Sequence, residues 1–285
     1  MNFLGLNDGE NDYKSARVAI LPIPYDMTST YRKGADQGPR ALLYASSQLE
    51  FYDDELDAEP YQLGITTLSP PLPLPTVPEE MVQAVTEAAS RPLRDGKHLI
   101  GIGGEHSITL PLVTAVHNLD RGICVLQIDA HADLRSEYMG SPYNHACVMR
   151  RIMEKGIRIV PVGIRALCQE ERDTMRENGI SPVWAREIAQ SHDWIERVVE
   201  QLGDRVYVTF DLDGLDPSVL PSTGTPVPGG LGFYAALDLL RRVGESRHVV
   251  AADLTELKPD PVNHHSEFLA ATLAYKMISY FWYRG

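Results

Sequence analysis

Apolar residues along the chain fall into short continuous runs rather than alternating with polar ones. These runs predict strands over residues 17–24, 97–101, 122–129, 158–164, 205–211 and 248–254. Runs rich in Val, Ile and Leu are typical of strands that are buried on both faces, as in a parallel sheet.

Segments with helical periodicity separate several of these runs. They predict helices over residues 78–89, 191–202, 233–243 and 266–281, with Ser191 as an N-cap. The Pro-rich stretch 69–78 is interpreted as a rigid surface connection. Repeated strand–helix–strand units favour an α/β fold, a parallel sheet with helices on both faces, formed by a single domain over residues 1–285.

The charge and the cysteine content limit which partners and which cellular compartment are expected. The chain of 285 residues has 26 basic and 39 acidic side chains, a formal net charge of −13. This balance disfavours nucleic acid or an anionic membrane surface as a partner and suits a cationic substrate. The cysteines Cys124, Cys147 and Cys168 form no CxxC pair, and neither a signal peptide nor an apolar run of membrane-spanning length is visible, so we expect a cytoplasmic protein.

Metal-type ligands follow several of the predicted strands. The residues concerned lie in the segments GGEHS (103–107), DAHAD (129–133), DLD (211–213) and DLTE (253–256). Ligands of open α/β sheets bind at the carboxyl ends of the strands. The strand ends are therefore the candidate site.

Spacing within two of these segments predicts a cluster of carboxylates. In an extended chain, residues two apart point to one side, which groups Asp129 with His131 and Asp133, and Asp211 with Asp213. If the two strands are neighbours, four carboxylates converge, and two divalent cations would neutralise them. Oxygen-rich sites with few His and no Cys favour Mn²⁺ over Zn²⁺.

Each segment also has a simpler interpretation. Asp-x-His occurs in ordinary turns, and Asp211–Gly214 could be the nucleophile loop of a haloacid-dehalogenase-type phosphatase. That loop normally follows the first strand and ends in a hydroxyl residue, unlike here. The pair Gly103-Gly104 lacks the Lys-Ser/Thr of a phosphate-binding P-loop. The three clusters together, in this order, favour the metal site.

The succession GGEHS, DAHAD, DLDGLDP and TGTPVPGG resembles the ureohydrolase family of arginases and agmatinases. The resemblance extends from residues 22–42 (PIPYDMTSTYRKGADQGPRAL) to Glu256, nearly the whole chain. It implies a three-layer α/β/α domain around a mostly parallel central sheet. It also implies a homo-oligomer, a trimer or a hexamer.

The resemblance implies two Mn²⁺ per subunit. One ion would be held by His106, Asp129, Asp133 and Asp211, and the other by His131, Asp129, Asp211 and Asp213. Asp129 and Asp211 would bridge the ions. By the same resemblance, His145 is the proton shuttle and Glu256 binds the substrate guanidinium.

The segment 143–151 (YNHACVMRR) and Pro228 resemble the agmatinase branch, so we expect hydrolysis of agmatine to putrescine and urea, a step of polyamine biosynthesis. Aminopropylagmatine, guanidinobutyrate and arginine stay open as substrates, as does a binding homologue that has lost catalysis. Ser136, Ser141 and Asn144 are candidate contacts for an α-carboxylate, and Glu137 for a distal ammonium. We interpret His264 and His265 as solvated loop residues, Cys147 as buried packing, and Glu105 as a support for the metal ligands.

Overall fold

Eight parallel strands form one sheet in a computed structural model that describes residues 1–7 and 9–283. The strands, numbered along the chain, are β1 Val18–Ile23, β2 Ile65–Thr67, β3 His98–Gly103, β4 Ile123–Ile128, β5 Arg158–Ile164, β6 Val183–Trp184, β7 Arg205–Asp211 and β8 His248–Thr255. All the predicted strands are present with bounds shifted by at most two residues. The short edge strands β2 and β6 carry too few apolar residues to show as runs in the sequence.

Helices connect the strands and cover both faces of the sheet. They are α1 Gly38–Ser46, α2 Pro78–Arg94, α3 Thr109–Leu119, α4 Val148–Glu154, α5 Gln169–Glu177, α6 Ala185–Ile188, α7 Trp194–Gln201, α8 Phe233–Ser246 and α9 His265–Trp282. The prediction that Ser191 caps a helix is wrong, because α7 begins at Trp194 and Asp193 occupies the N-cap position. The Ser191 hydroxyl instead donates to the Asp193 carboxylate.

Two apolar cores confirm the three-layer α/β/α arrangement. Alternate residues of β1 point to opposite faces: Val18 and Ile20 belong to one core, and Ala19 and Leu21 to the other. Helices α1, α7, α8 and α9 pack on the first core, whereas α2, α3, α4 and α5 pack on the second. Among the helices of residues 1–7 and 9–283, none has the length and apolar composition needed to span a bilayer.

Strand order explains why the candidate ligands meet. The order across the sheet is β2-β1-β3-β8-β7-β4-β5-β6, and every neighbouring pair is parallel. The strands that precede the metal-type segments, β3, β8, β7 and β4, are therefore four consecutive neighbours. Their carboxyl ends form one edge at the centre of the sheet, where ligands of such folds bind.

Close packing of the last two long helices depends on a glycine. Gly244 of α8 lies against α9, and a Cβ at this position would overlap the backbone carbonyl of Tyr280. We expect Gly244→Ala to lower the free energy of unfolding by about 1–3 kcal/mol, because backbone cannot yield as a side-chain tip can.

The matched control is Gly232→Ala at the N-cap of the same helix, where nothing lies within 4 Å of the added Cβ. Urea denaturation of both variants gives the comparison. We expect Gly232→Ala to cost about 0.5–1 kcal/mol, less than Gly244→Ala, because Ala is a poorer N-cap than Gly but displaces no neighbouring atom. Equal stability of Gly244→Ala and the wild-type protein would contradict the packing argument.

Candidate metal centre

The predicted ligands converge at the carboxyl ends of the central strands. Asp129 follows β4 directly, Asp211 is the last residue of β7, and His106 lies in a 3₁₀ turn shortly after β3. These three side chains are at most 3% exposed. The sheet has thus brought together side chains that are up to 105 positions apart in sequence (211 − 106).

His106 lies at the centre of a first group of carboxylates. Its Nδ1 is 2.9 Å from Oδ2 of Asp133 and 3.2 Å from Oδ2 of Asp129. Oδ2 of Asp211 is 3.3 Å from the same nitrogen. One imidazole nitrogen therefore faces three carboxylate oxygens. His106 and these three aspartates are the four residues that were predicted to hold the first ion.

A second group forms around His131. Its Nδ1 is 2.9 Å from Oδ2 of Asp213 and 3.7 Å from Oδ1 of Asp129. Asp129 therefore offers one oxygen to each group. In both the His106–Asp129–Asp133 and the Asp129–His131–Asp213 sets, the ligand atoms lie within 4.8 Å of one another, close enough to hold a metal ion.

Asp211 joins the two groups differently. Its Oδ2 faces His106, while its Oδ1 accepts a hydrogen bond of 2.9 Å from the backbone N–H of Asp213. A bridging role for Asp211 stays a prediction.

The carboxylates of this cluster lie so close together that their negative charges need compensation by cations. Burial and the negative charge of Asp129 raise the pKa of Asp133 to about 7. Burial, Asp213 and Asp129 likewise raise the pKa of Asp211. Burial alone would lower the pKa of His131, but the carboxylates of Asp213 and Asp129 raise it to about 12. Crowded carboxylates thus retain protons, and divalent cations would take the place of those protons. The donor set of oxygens and imidazoles fits such ions.

The backbone that presents the ligands is less regular than the extended geometry predicted from spacing. Asp133 has a φ of 53°, in the left-handed region, and Asp213 lies in the 3₁₀ turn Leu212–Gly214. The prediction that these residues alternate along an extended strand is therefore wrong, although the side chains do meet. Glu256 also has a positive φ of 66°. Such strain costs about 1–3 kcal/mol per residue and is concentrated at functional sites.

Hydrogen bonds orient His106 on the side of the ring opposite the carboxylates. Its Nε2 lies 2.9 Å from the Thr209 hydroxyl, which donates to Asp253 over 2.7 Å. Tyr207 also donates to Asp253, over 2.5 Å. A ring whose Nε2–H is held by such a chain presents Nδ1 as the ligand nitrogen. Thr209 was not among the predicted site residues, although a polar residue within an apolar strand is a signal that could have identified it.

Two further residues support the ligands. Gln127 donates from Nε2 to Oδ2 of Asp129 over 2.9 Å and to the carbonyl of His131 over 3.0 Å. Arg165 donates to backbone carbonyls of Asp213 and Val227 over 2.6 and 2.7 Å. It thereby fastens the DLDGLDP segment to the TGTPVPGG segment. Neither residue lies in the segments GGEHS, DAHAD, DLD and DLTE, which supply the predicted ligands.

Glu256 and His145 line the same cleft as His106, His131 and the carboxylates around them, and their catalytic roles stay predictions. The cleft has a volume of about 230 Å³. Oε1 of Glu256 accepts a 2.8 Å hydrogen bond from the backbone N–H of His106. Burial and the negative charge of Glu105 raise the pKa of Glu256. Burial, with positive charge on His106 and His131, lowers the pKa of His145 to about 4.

Glu105 is fully buried beside the cluster, and its oxygens accept from the backbone N–H and hydroxyl of Ser107 over 3.0 and 2.8 Å. The glycine before it, Gly104, has no room for a Cβ, which would overlap the carbonyl oxygen of Tyr25. This close approach seats the GGEHS segment against the loop after β1.

Between the DAHAD segment and His145, the residues that line the cleft are not the ones that were predicted from the sequence to contact the substrate. Arg135 and Tyr138 line it, with the Arg135 guanidinium 4.6 Å from the centre of the Tyr138 ring. Glu137 is exposed beside them and does not line the described cleft. The side chain of Asn144 caps a 3₁₀ turn by accepting from the Ala146 N–H over 3.1 Å.

Cys147 is buried, and all three cysteines are free. His264 and His265 are exposed, but His265 is the first residue of α9 rather than part of a loop.

The chain is similar to several known proteins. Residues 16–279 match the model of a family described as the Arginase family. The chain is 44% identical to the N(1)-aminopropylagmatine ureohydrolase of Synechocystis sp., over 94% of this chain and 90% of that protein. It is 34% identical to the agmatinase of Pyrococcus horikoshii, over 94% and 93%. The crystal structure of the agmatine ureohydrolase of Thermoplasma volcanium superposes with a TM-score of 0.89 at 32% identity, covering 99% of this chain and 94% of that one.

The hydrogen bonds that link His106 to Thr209 and Asp253 give a testable prediction. Thr209→Val removes the acceptor of the His106 Nε2–H and leaves a buried donor unpaired. We expect the affinity for Mn²⁺ to fall about 10–100-fold, the usual cost of losing a partner of a metal-ligating His. Competition with a chelator measures it.

The control is Tyr207→Phe on the same strand. It removes the other hydrogen bond to Asp253 and leaves the Thr209–His106 contact in place. We expect a smaller loss of affinity than for Thr209→Val. Equal losses in the two variants would show that the contact with His106 is not what matters.

Proposed function

The chain belongs to the arginase family and is a hydrolase that acts on guanidino carbon–nitrogen bonds, and we propose that it releases urea from a linear guanidinoalkylamine with the help of two metal ions. The observation that carries this proposal is the position of Asp129, whose two oxygens face the two separate imidazole groups.

In this proposal the first ion is held by His106, Asp129, Asp133 and Asp211, and the second by His131, Asp129, Asp211 and Asp213. Four carboxylates balance the charge of two divalent cations. Because oxygen donors predominate and thiolates are absent from the set, Mn²⁺ is the metal that we propose. When bound, the pair of ions lowers the pKa of a water molecule so that it can act as a nucleophile near neutral pH.

Glu256 binds the guanidinium of the substrate. A buried carboxylate that lines a cleft is stabilised in its ionised form by a cation, and the planar guanidinium matches a carboxylate in shape. Its Oε1 is already fixed by the backbone N–H of His106, which holds the side chain in place. The substrate carbon is thereby positioned over the carboxylate cluster.

His145 moves the proton that the reaction needs. Water adds to the guanidinium carbon, the bond from that carbon to the alkyl-bearing nitrogen breaks, and the leaving amine takes up a proton while urea is released. A neutral imidazole beside the cleft can accept a proton from the attacking water and deliver it to this nitrogen. Burial lowers the pKa of His145, which favours the neutral ring that this role needs.

Agmatine, which would yield putrescine, is the substrate that the sequence resemblance predicts. The second candidate is N1-aminopropylagmatine, and the names of the relatives favour it. The relative at 44% identity carries that name, whereas the Pyrococcus horikoshii agmatinase is 34% identical. We therefore propose aminopropylagmatine as the preferred substrate and agmatine as the alternative.

The proposal also covers the cellular compartment and the oligomeric state. We propose a cytoplasmic homo-oligomer, with the free cysteines in keeping with a reducing compartment. Nucleic acid and membranes have no part in it.

A substrate series tests the proposal. Urea release is measured with Mn²⁺ on aminopropylagmatine, agmatine, arginine and guanidinobutyrate, compared by kcat/KM. We expect the highest value for aminopropylagmatine, then agmatine, because a carboxylate-bearing substrate is not favoured by a strongly acidic protein. A higher value for guanidinobutyrate would instead point to recognition of a carboxylate by Arg135. Metal binding without urea release from any of them would indicate a homologue that has lost catalysis.

Asp129→Asn tests the shared ligand. Because one carboxylate serves both groups, we expect this variant to lose both ions and turnover together. Metal content per subunit and urea release are measured on the same preparation. Asp120→Asn is the control, since it removes the same charge at an exposed Asp120–Arg205 pair before β4. Retention of one tightly bound ion by Asp129→Asn would contradict sharing.

A further inference from the structure

Arg165 joins three segments of the chain close to the second group of ligands. It follows β5 directly. Its guanidinium donates to five backbone carbonyl groups, those of Gly163, Asp213, Gly214, Leu215 and Val227. A guanidinium carries five N–H donors in a rigid planar fork. One side chain can therefore contact β5, the turn after β7 and the TGTPVPGG segment at the same time.

Three of the five carbonyls belong to residues 213–215, in and directly after the 3₁₀ turn that carries Asp213. The carboxylate of Asp213 is oriented separately, because its Oδ1 accepts a hydrogen bond of 3.1 Å from the backbone N–H of Ala130. Its other oxygen, Oδ2, lies 2.9 Å from Nδ1 of His131. Arg165 thus fixes the backbone of a residue whose free carboxylate oxygen faces the second group.

The first group of ligands has different supports. His106 is held through Thr209, and Asp133 lies in the segment after β4. Within residues 1–7 and 9–283, the hydrogen bonds of Arg165 go to neither His106 nor Asp133. Asp211, proposed as a ligand of both ions, is the last residue of β7 and pairs with β8. The sheet therefore fixes the backbone of Asp211 without help from Arg165.

We infer that Arg165 is a positioning residue for the second ion. By holding the turn that carries Asp213, it keeps Oδ2 of this aspartate facing His131, and it leaves the ligands that serve only the first ion untouched. This inference rests on the proposed pair of ions. Because Thr209 supports the first ion and Arg165 the second, the two affinities can be changed separately.

Arg165→Lys tests the inference, because it keeps the positive charge and removes the planar fork. An ammonium group donates from a single atom and cannot reach carbonyls that a guanidinium contacts from three nitrogens. We expect the affinity for the second Mn²⁺ to fall about 10–100-fold, the usual effect of losing a residue that orients a metal ligand, with little change for the first. Metal content per subunit is measured over a series of Mn²⁺ concentrations buffered by a chelator.

The position of the retained ion identifies the weakened site. At a Mn²⁺ concentration that fills only the tighter site of Arg165→Lys, we expect an anomalous-difference map to show a peak beside Nδ1 of His106 and none beside Nδ1 of His131. Thr209→Val should give the opposite pattern. Equal weakening of both ions in Arg165→Lys would overturn the inference, because it would indicate general damage to the site.

Arg165→Gln is a second variant, with a smaller side chain that retains an amide donor. Both variants are prepared in excess Mn²⁺, because an ion that binds only the native state stabilises it. Arg176→Lys is the matched control on α5, where the arginine is exposed and paired with Asp173, and we expect it to bind both ions as the wild-type protein does.

Two further outcomes separate this inference from the proposed function. If the wild-type protein binds fewer than two ions per subunit, the proposed pair of ions fails and the inference fails with it. If the wild-type protein binds two ions and the Lys and Gln variants of Arg165 keep both affinities, the role of Arg165 alone is overturned.

Discussion

Everything at the candidate site depends on the repulsion between carboxylates that the parallel sheet forces together. The ends of β7 and β4 are neighbours, so Asp129, Asp211 and Asp213 meet in a buried volume with Asp133. Isolated from water, such charges cost several kcal/mol each unless they are compensated. Without other cations, the cluster is compensated by protons on its carboxylates and imidazoles. Metal ions offer the alternative, and the arrangement of the surrounding residues is easiest to understand as preparation for them.

The predicted metal ligands are held in place mainly by residues that are not ligands themselves. Gln127 fixes Asp129, the Thr209–Asp253 pair fixes His106, and Arg165 ties together the backbone of two loops. These contacts hold like-charged side chains in place before any cation arrives. The left-handed backbone at Asp133 has the same consequence, because the packed surroundings must stabilise a conformation that the residue alone disfavours.

The sequence contains enough information to predict the fold class, the long strands and the residues that meet. Continuous apolar runs indicate buried parallel strands, and acidic residues directly after them lie where such sheets bind ligands. Local geometry was not predictable in the same way. Spacing alone suggests an extended Asp129–Asp133 segment, whereas tertiary contacts impose a positive φ on Asp133. The role of Arg165 depends on a contact across 48 positions, which no local pattern encodes. Thr209 and Asp253 are intermediate cases, since each is a polar residue in an apolar strand and could have been recognised.

The proposed chemistry requires two cations that share Asp129. The most direct measurement is an anomalous-difference map from a crystal of the protein grown with Mn²⁺. We expect two peaks per subunit, one beside Nδ1 of His106 and the other beside Nδ1 of His131, with an oxygen of Asp129 close to each. A single peak, or peaks away from the ends of β4 and β7, would contradict it.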